Sequence, residues 1–517
     1  MTPIKRIVVN ALATYGQSLV GLLAGFFSIR WVLAALGPSD FGLYCVVGSL
    51  ITFITFFNSI LSVSNARYYA YSIGQGKNIP HDAVLEDLSR WFNTALSIHV
   101  VVPAILLLVG YPVGEYAIRH WLNIPDGRLV ACVWVFRLAS VTAFVSMSSV
   151  PFLAMYTAKQ YIAVRAGFGI VSTVMNLVFA YCLLHVPGDK LLWYAAYMMV
   201  ISAGLPFVQV LLALRCFPEC RPCLSLWGDW KRIRSLFSYA GWIAFGGGGG
   251  SLIGLQGSTL VTNHYFGTVI NSSYGIAGTL SGHTQTLSNS LMEALSPAVT
   301  TREGGGDRAG TLRLADRTGK FGAVLILLFA VPMTLEMKSL LMLWLGHIPD
   351  YVVPICCLGL VASVMEKFTL GYQMAISATG KIALWQLTGG VLNVLIFPTA
   401  WLLAALGIGP VSAAIAIALC PCCTFWANLF FARRILGADV FFYLRHVVLP
   451  TIVVTVLSIG AGAVSIWAFP MAWWRIGVTT FACLAVMLPL SFYFVLSIEE
   501  RMFLKTKLAG TWRRFLG

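Results

Sequence analysis

Charged side chains are scarce in this sequence. They make up 10% of its 517 residues, whereas soluble domains carry roughly 25%. Hydrophobic residues make up 58%, and the mean hydropathy is +0.83. A chain with so few charges lacks the polar groups needed to cover a folded surface in water. The composition therefore excludes a soluble globular protein and indicates lipid as the solvent for most of the chain.

Recognisable catalytic groups and long hydrophilic segments are also lacking. No segment predicted to lie outside the cell is long enough to form a domain, and no paired carboxylates or nucleophile triad fall on an exposed loop. This argues against an enzyme such as a membrane polysaccharide polymerase or ligase. Cys216, Cys220 and Cys223 share one loop, but a structural zinc site needs four ligands and no histidine lies beside them. We therefore expect neither a metal site nor a cofactor.

Apolar runs long enough to cross a bilayer recur from end to end. They are continuous rather than alternating, so they predict helices and not a barrel. The sequence therefore predicts an all-α integral membrane protein with about fourteen transmembrane helices. Their predicted bounds are 11–36, 40–63, 91–113, 129–152, 166–186, 191–214, 239–263, 270–297, 319–345, 352–378, 382–405, 409–432, 446–468 and 475–497. The segment 64–90 is predicted to form a short surface helix, and the start of the chain a retained first span.

The basic excess of +15 is unevenly distributed. If Lys5 and Arg6 are cytoplasmic, most Lys and Arg residues fall in loops on that side of the membrane. The opposite loops hold only Arg119, Arg128, Lys190, Lys338 and Arg475. This asymmetry predicts that both termini are cytoplasmic and that the charge attracts anionic membrane lipids. Nucleic acid is not expected as a partner.

A weak internal repeat divides the chain. The tripeptide Lys5–Ile7 recurs as Lys231–Ile233, and Gly37 and Tyr44 recur as Gly267 and Tyr274. Parallel repeats of this kind build two-lobed transporters with a central site. The predicted divisions are an N-terminal lobe 1–214, a cytoplasmic linker 215–238, a C-terminal lobe 239–433, two further spans in 434–498 and a basic amphipathic tail 499–517.

Several phrases resemble one family of transporters. They include "IRWVLAALGPSDFGLYCVVGSL", "RHWLNIPDGRL", "LQGSTLVTNHYFGTVINSSYGIAGTL", "EALSPAVT", "LWLGHIPDYVVP" and "ISATGKIALWQLTGGVLNVLIFP". In order and spacing they resemble Wzx-like polysaccharide flippases of the multidrug/oligosaccharidyl-lipid/polysaccharide (MOP) exporter superfamily.

The resemblance implies two six-helix lobes around a central cavity, followed by two extra C-terminal helices. It implies a protein of the bacterial cytoplasmic membrane that turns undecaprenyl-diphosphate-linked oligosaccharide from the inner to the outer leaflet by alternating access. The glycan would be an O-antigen, capsule or exopolysaccharide repeat unit. The implied partners are this lipid-linked glycan, a coupling H⁺ or Na⁺, and polysaccharide polymerase and chain-length proteins.

Ionisable residues within spans are the first candidates for the transport site, because they are costly in lipid and tend to face a cavity. Arg30 and Arg137 are predicted either to line a cationic substrate cavity or to anchor their spans at the membrane surface. Glu366 and Lys367 lie near the middle of their span. At least one of them is predicted to face the cavity, Glu366 as an ion-coupling residue, and the alternative is an ion pair between helices.

Span 270–297 carries a polar stripe of Ser281, Gln285, Asn289 and Glu293 at four-residue spacing. A stripe this polar is predicted to face the bundle interior, either as substrate cavity or as a hydrogen-bonded seam between helices. Gln285 and Asn289 are candidate substrate contacts. Glu293 is the candidate ion site, provided that burial raises its pKa.

Three more residues are candidate substrate contacts. Arg67 ends the second span, where it either meets the substrate diphosphate or anchors the span. Gln256 and Asn263, in the span after the linker, are candidate sugar hydrogen-bonders. That span also contains the run Gly246, Gly247, Gly248, Gly249, Gly250. The run lacks the spacing of a phosphate-binding loop, so we predict either close helix packing or a hinge.

Two other transporter functions remain open. One is a flippase for the peptidoglycan lipid precursor, which the sequence separates only weakly from a Wzx-like protein. The other is a cation-coupled drug antiporter of the same superfamily. Its N-terminal lobe is expected to hold an acidic site, whereas here Asp40, at a span boundary, is the only acidic residue of the predicted N-terminal spans.

Overall fold

The computed structural model of the protein describes residues 3–75, 80–125, 127–159, 161–243, 249–304, 307–497 and 500–502. For helix residues 3–15, 238–243 and 283–298, and for scattered others that include residue 67, the description is of the backbone alone. The described residues form helices and no strands, which confirms the all-α prediction.

The helices follow one another with short connections. In the first half they are α1 (Pro3–Gln75), α2 (His81–His120), α3 (Leu129–Ala158), α4 (Ile162–Cys182), α5 (Lys190–Cys216), α6 (Trp230–Ile243) and α7 (Gly249–Gly304). In the second half they are α8 (Arg308–Leu335), α9 (Met337–Leu345), α10 (Val352–Phe368), α11 (Leu370–Ala378), α12 (Ala383–Val394), α13 (Ile396–Ala405), α14 (Ser412–Phe431), α15 (Val440–Tyr443), α16 (Leu449–Ala468) and α17 (Trp473–Leu490).

Most of these helices are long and strongly apolar. Among the described residues, ten helical stretches are long and apolar enough to cross a membrane, and an eleventh forms if the bent pair α10 and α11 counts as one span. Within the described residues, each segment predicted as a span lies largely on helix, and the number of crossings stays a prediction.

The chain divides into two compact units. Unit 1 comprises Met1–Ile276, Pro349–Tyr351 and Asn393–Ala413, and unit 2 comprises Ala277–Ile348, Val352–Leu392 and Ala414–Gly517. A buried core within unit 1 forms where α1, α2, α3 and α5 pack together, and it includes Tyr69, Phe92 and Met155. A core within unit 2 includes Phe368, Tyr372 and Tyr443.

Two long helices break at single glycines. Gly37 interrupts α1 with φ of 73°, and Gly267 interrupts α7 with φ of 78°. Only glycine adopts this left-handed region at little steric cost. These are the glycines that recur in the sequence repeat, and both breaks fall between spans predicted as separate.

The segment 64–90 differs from its prediction as a separate surface helix. Instead, α1 continues to Gln75 and α2 begins at His81. The end of α1 and the start of α2 bury apolar residues, including Tyr69 and Leu88. The Ser72 hydroxyl also donates a hydrogen bond to the Asp87 carboxylate at 2.6 Å.

Two glycines of the run, Gly249 and Gly250, lie within the described residues. Helix α6 ends at Ile243, and α7 begins at Gly249 and includes Gly250. Gly246, Gly247 and Gly248 lie outside the described residues. The choice between packing and hinge therefore stays a prediction.

Candidate functional site

The two broken helices touch each other just beyond their glycine breaks. The Ser39 and Thr268 hydroxyl oxygens lie 3.2 Å apart. A Cβ atom on Gly42 would come within 1.7 Å of the Thr268 carbonyl oxygen, and one on Gly275 within 2.6 Å of the Cys45 sulfur. We call Ser39, Gly42, Thr268 and Gly275 the break contact. Its glycines allow main-chain surfaces to meet, as small residues do between membrane helices.

Next to the break contact, Asn263 holds the loop that follows α2. Its carboxamide oxygen accepts from the Asn123 backbone N–H at 2.9 Å, and its amide nitrogen donates to the Asn123 carbonyl at 3.3 Å. The side chain is fully buried, and both of its polar atoms form hydrogen bonds with the loop. Its predicted role in sugar binding has no support from this arrangement.

An aromatic group packs beside this loop. The rings of Trp121, His264 and Trp401 are nearly parallel, with centroids 4.9 to 6.1 Å apart. A ring nitrogen of His264 lies 3.0 Å from the Trp121 carbonyl oxygen. These contacts fix the position of the loop against α7 and α13.

Arg128 forms an ionic network at the start of α3. It donates to Asp40 at 2.8 Å, just past the Gly37 break, and to Asp189 at 2.9 Å, the residue that caps α5. Asp189 also accepts from the Leu191 backbone N–H. One guanidinium therefore ties the starts of α3 and α5 to the part of α1 that follows the Gly37 break, all within unit 1.

Arg30 and Arg137 lie in different environments. Arg30 is exposed on α1. Arg137 donates to the Tyr111 hydroxyl at 3.0 Å, approaches Glu115 at 4.0 Å and lies over the Trp134 ring. Exposed apolar residues share its face of α3, among them Val130, Trp134 and Val141. These contacts account for Arg137 without a substrate and favour the anchoring interpretation.

Helix α6 is clamped to the ends of α1 and α2. Arg232 donates to the Asp87 carboxylate at 2.6 Å and to its carbonyl at 3.1 Å, and its guanidinium lies over the Trp91 ring. The Tyr68 hydroxyl donates to the Ser235 carbonyl at 3.2 Å. The chain therefore enters the glycine run from a fixed helix.

In unit 2 the span formed by α10 and α11 bends by 46° at Thr369. Lys367, which is buried, pairs with Glu366 at 3.1 Å just before the bend. The Thr369 hydroxyl accepts from Asn428 at 2.9 Å, and Asn428 accepts from the Trp385 indole at 2.7 Å. Polar groups around a broken membrane helix satisfy the interrupted backbone and mark binding sites in other transporters. We call Glu366, Lys367, Thr369 and Asn428 the Thr369 break.

A second polar group lies near the Thr369 break. The Tyr372 hydroxyl donates to Asp316 at 2.6 Å, and the Tyr443 hydroxyl donates to the Phe368 carbonyl. Tyr372 and Tyr443 also contact each other edge to face. These bonds connect α8 and α15 to the bent span.

The last described residues are tied to α8. Glu500 pairs with Lys320 at 2.9 Å and with Arg317 at 3.3 Å. It also accepts from the Ser497 backbone N–H at 2.8 Å while its own N–H donates to the Ser497 hydroxyl, which is a capping box. Burial acts to raise the pKa of the Glu500 carboxyl, but these hydrogen bonds outweigh it and hold the pKa below its ordinary value.

The candidate residues divide among several places. Gln256 is half-buried on α7, one residue from Gly257, which packs against Phe397. Glu366 and Lys367 are brought together as a pair. The side chains of Arg67, Gln285, Asn289 and Glu293 lie outside the description, so their roles stay predictions. Within the described residues, no cluster of three or more His, Cys, Asp or Glu side chains could hold a metal ion.

Sequence reasoning missed several ionic contacts. Arg128 and Arg475 were noted only as charges in loops, yet Arg475 forms a buried pair with Glu336 at 2.8 Å. Thr479 and Ser339 donate to the same carboxylate. The signal was available in part, because Glu336 and Arg475 are isolated opposite charges within or beside apolar spans.

Comparisons with known proteins give a match for the fold and none for the sequence. No protein-family model matches the sequence, and no curated protein matches it. Among solved structures, the lipid II flippase MurJ in an inward closed conformation has a TM-score of 0.68 at 11% identity, with 94% of this chain and 98% of MurJ covered. The chain therefore shares its fold with this structure.

Two further matches agree with this fold. Both are MATE family multidrug transporters of the MOP superfamily. The inward-facing structure has a TM-score of 0.59 at 13% identity, with 83% of this chain and 98% of that chain covered. The outward-facing structure has a TM-score of 0.52 at 12% identity, with 84% and 96% covered. The apolar helices, together with the fold shared with these membrane transporters, indicate a multi-pass membrane protein.

Proposed function

We propose that this protein turns an undecaprenyl-diphosphate-linked oligosaccharide from the inner to the outer leaflet of the bacterial cytoplasmic membrane by alternating access. The substrate would be a repeat unit of O-antigen, capsule or exopolysaccharide, and both termini would be cytoplasmic. A polysaccharide polymerase and chain-length proteins would act on the delivered unit.

The observation that carries this proposal is the charge on the spans of unit 1. Among the described carboxylates of unit 1, Asp40 pairs with Arg128 and Glu115 pairs with Arg119. Arg30 is exposed on α1. A surface of this sign suits an anionic diphosphate and disfavours a cationic drug.

The extent of the fold likeness supports a flippase over a drug antiporter. MurJ matches 94% of this chain, whereas the MATE structures match 83% and 84%. A flippase for a lipid-linked precursor of peptidoglycan is therefore the second candidate, since it shares the anionic diphosphate and the lipid tail.

The chemistry requires a polar path for the glycan and the diphosphate, because stranding them in hydrocarbon costs several kcal/mol for each unsatisfied group. In this proposal Arg30, Arg67 and Lys367 attract the diphosphate. Gln256, Gln285 and Asn289 hydrogen-bond the sugars. Asn263 and Arg137 act indirectly, by holding the loop and the helices around the path.

Ion coupling is assigned to Glu366 and Glu293. The support is the Thr369 break, where a carboxylate and a buried ammonium lie beside a bent span. Exchange of an H⁺ or Na⁺ at Glu366 would change its pairing with Lys367 and so bias the bend.

The direct test is transport in proteoliposomes. A fluorescent undecaprenyl-diphosphate glycan is placed in one leaflet, and its accessibility to a membrane-impermeant quencher is followed with time. Protein-dependent movement is the expected result. A folded protein that leaves the distribution unchanged, or that moves only a lipid-linked peptidoglycan precursor or a cationic dye, overturns the proposal in favour of the corresponding alternative.

The residues are tested in the same assay. Arg30→Ala, Lys367→Ala and Glu293→Gln are expected to slow transport at normal expression, and Glu366→Gln to abolish its dependence on an ion gradient. Arg433→Ala, which changes an exposed arginine on another part of the surface, is the matched control. Normal transport in all four variants contradicts the assignment of the path.

A further inference from the structure

Helix α6 and the loop before it present an unusual surface outside the transport path. Large hydrophobic side chains are widely exposed here, with Leu224 77%, Trp230 74% and Phe237 41% exposed. Basic residues stand among them, namely Arg221, Lys231 and Arg234, all of them exposed. We call these six residues the α6 surface.

The opposite side of α6 fixes which way this surface points. Arg232 is bound by Asp87, Leu236 is buried in the core of unit 1, and the Leu236 carbonyl accepts from the Ser64 hydroxyl at 3.3 Å. Side chains advance by about 100° per residue around an α-helix. Positions 232 and 236 therefore face the protein, position 234 faces directly away from it, and positions 230 and 237 lie on the same outer side of the helix.

Hydrogen bonds also hold the loop before α6 in place. The Asn93 carboxamide bridges two points of this loop, since it donates to the Arg221 carbonyl at 3.2 Å and accepts from the Cys223 N–H at 2.6 Å. Asn93 is itself fully buried. The exposure of Leu224 is thus part of an anchored structure.

The position of the α6 surface indicates which kind of molecule contacts it. It follows α5, an apolar helix long enough to cross the membrane, by only 14 residues from Cys216 to Trp230. It therefore lies at the membrane boundary. Exposed aromatic residues mixed with Lys and Arg on one helix face are typical of helices that lie in the headgroup region of a bilayer, where anionic lipids attract basic side chains.

We propose that the α6 surface is a docking site for the headgroups of anionic phospholipids. Trp230 and Phe237 insert at the level of the headgroups, while Lys231 and Arg234 pair with lipid phosphates. Since Arg232 joins α6 to α2 and Tyr68 joins it to α1, the bound lipid holds the segment that leads into the glycine run. This proposal holds whichever substrate is transported.

The test is site-specific photocrosslinking of the full-length protein in bilayers of equal phosphatidylglycerol and phosphatidylethanolamine. Benzoylphenylalanine replaces Trp230, and the lipid adducts are identified by mass spectrometry. Phosphatidylglycerol adducts are expected to dominate. A double Lys231→Glu, Arg234→Glu variant is expected to reduce their excess by roughly 25-fold, since each basic residue near an anionic surface contributes roughly fivefold.

Controls separate this site from general attraction to the protein. Arg433→Glu with Arg434→Glu makes the same charge change at other exposed arginines and is expected to leave the excess intact. Benzoylphenylalanine in place of Trp473, another exposed tryptophan, gives the baseline ratio. Replacing Phe237 instead of Trp230 provides a second probe if the first variant does not fold.

Four results overturn the proposal, and three of them concern the adducts themselves. They are adducts in equal proportion at the α6 surface, an excess that survives reversal of Lys231 and Arg234, and adducts formed with a protein instead of lipid. An equal loss in the Arg433, Arg434 control also overturns it, because the attraction is then a property of the whole surface.

Discussion

The main chain of Gly42 lies directly against the main chain of Thr268. A single added methyl group on Gly42 would come within 1.7 Å of the Thr268 carbonyl oxygen. Close by, the Ser39 and Thr268 hydroxyls meet at 3.2 Å. The stretches that follow the two glycine breaks are therefore joined by a contact that tolerates no side chain.

Gly42→Ala is expected to separate the stretches that carry Ser39 and Thr268. Overpacking of a close contact costs about 1–3 kcal/mol, enough to depopulate this arrangement. The measurement is disulfide formation between cysteines placed by Ser39→Cys and Thr268→Cys, which is expected to fall sharply when Gly42→Ala is added.

Gly48→Ala is the matched control on the same helix, because a Cβ atom there would meet nothing within 4 Å. It is expected to leave the disulfide yield unchanged. Equal yields from the Gly42→Ala and Gly48→Ala proteins contradict a tight break contact.

Arg475→Leu is expected to destabilise unit 2 strongly. It leaves the buried Glu336 carboxylate with only the Ser339 and Thr479 hydroxyls, and breaking a buried ion pair costs about 3–5 kcal/mol. The measurement is the unfolding midpoint of the purified protein. The double variant Glu336→Met, Arg475→Leu removes both charges and is expected to recover most of the loss. A double variant as unstable as the single one refutes the explanation by an unpaired charge.

Glu500 gives the protein a pH-dependent contribution to stability. Because its pKa in the folded state lies below the unfolded value, about 4.3, the contribution is fully present above the unfolded value and is lost as pH falls through the folded one. The midpoint difference between wild type and Glu500→Gln is therefore expected to be constant near neutral pH and to shrink in acid. A difference that grows in acid has the wrong sign and rejects this role.

Asn263→Ala separates a structural role from sugar binding. The change leaves the Asn123 N–H and carbonyl without their partner, which costs about 1–3 kcal/mol. Lower thermal stability with unchanged substrate affinity is expected. Gln256→Ala, half-buried on the same helix, is expected to show the opposite pattern. If the Asn263→Ala protein has wild-type stability but binds the glycan more weakly, Asn263 contacts the substrate.

The helical fold could be predicted from the sequence because its cause is local. Apolar runs of membrane length must satisfy their backbone internally. Gly37 and its counterpart Gly267 each lie between two predicted spans. Both residues adopt the left-handed conformation that breaks a helix. The extent of α1 and α2 could not be predicted, since it depends on burial of Tyr69 and Leu88 against other helices.

The partners of the charges could not be predicted. Arg128 pairs with Asp40 and Asp189, which are 88 and 61 residues away in the chain. A single sequence does not show how the helices that carry these residues align with one another. Adjacent helix positions diverge, yet the long Lys367 side chain still reaches Glu366. The sequence shows that a position is polar, but the residue with which its side chain pairs depends on how the helices pack.

The pair of Glu336 and Arg475 constrains how the protein is made. The ribosome adds 139 residues between the two, which takes about 7–28 s at roughly 5–20 residues per second. During this interval the carboxyl group of Glu336 has been synthesised and its partner has not. The Glu336 carboxyl must therefore stay protonated, hydrated or shielded by the insertion machinery until Arg475 has been synthesised, so assembly of unit 2 is completed only after synthesis reaches α17.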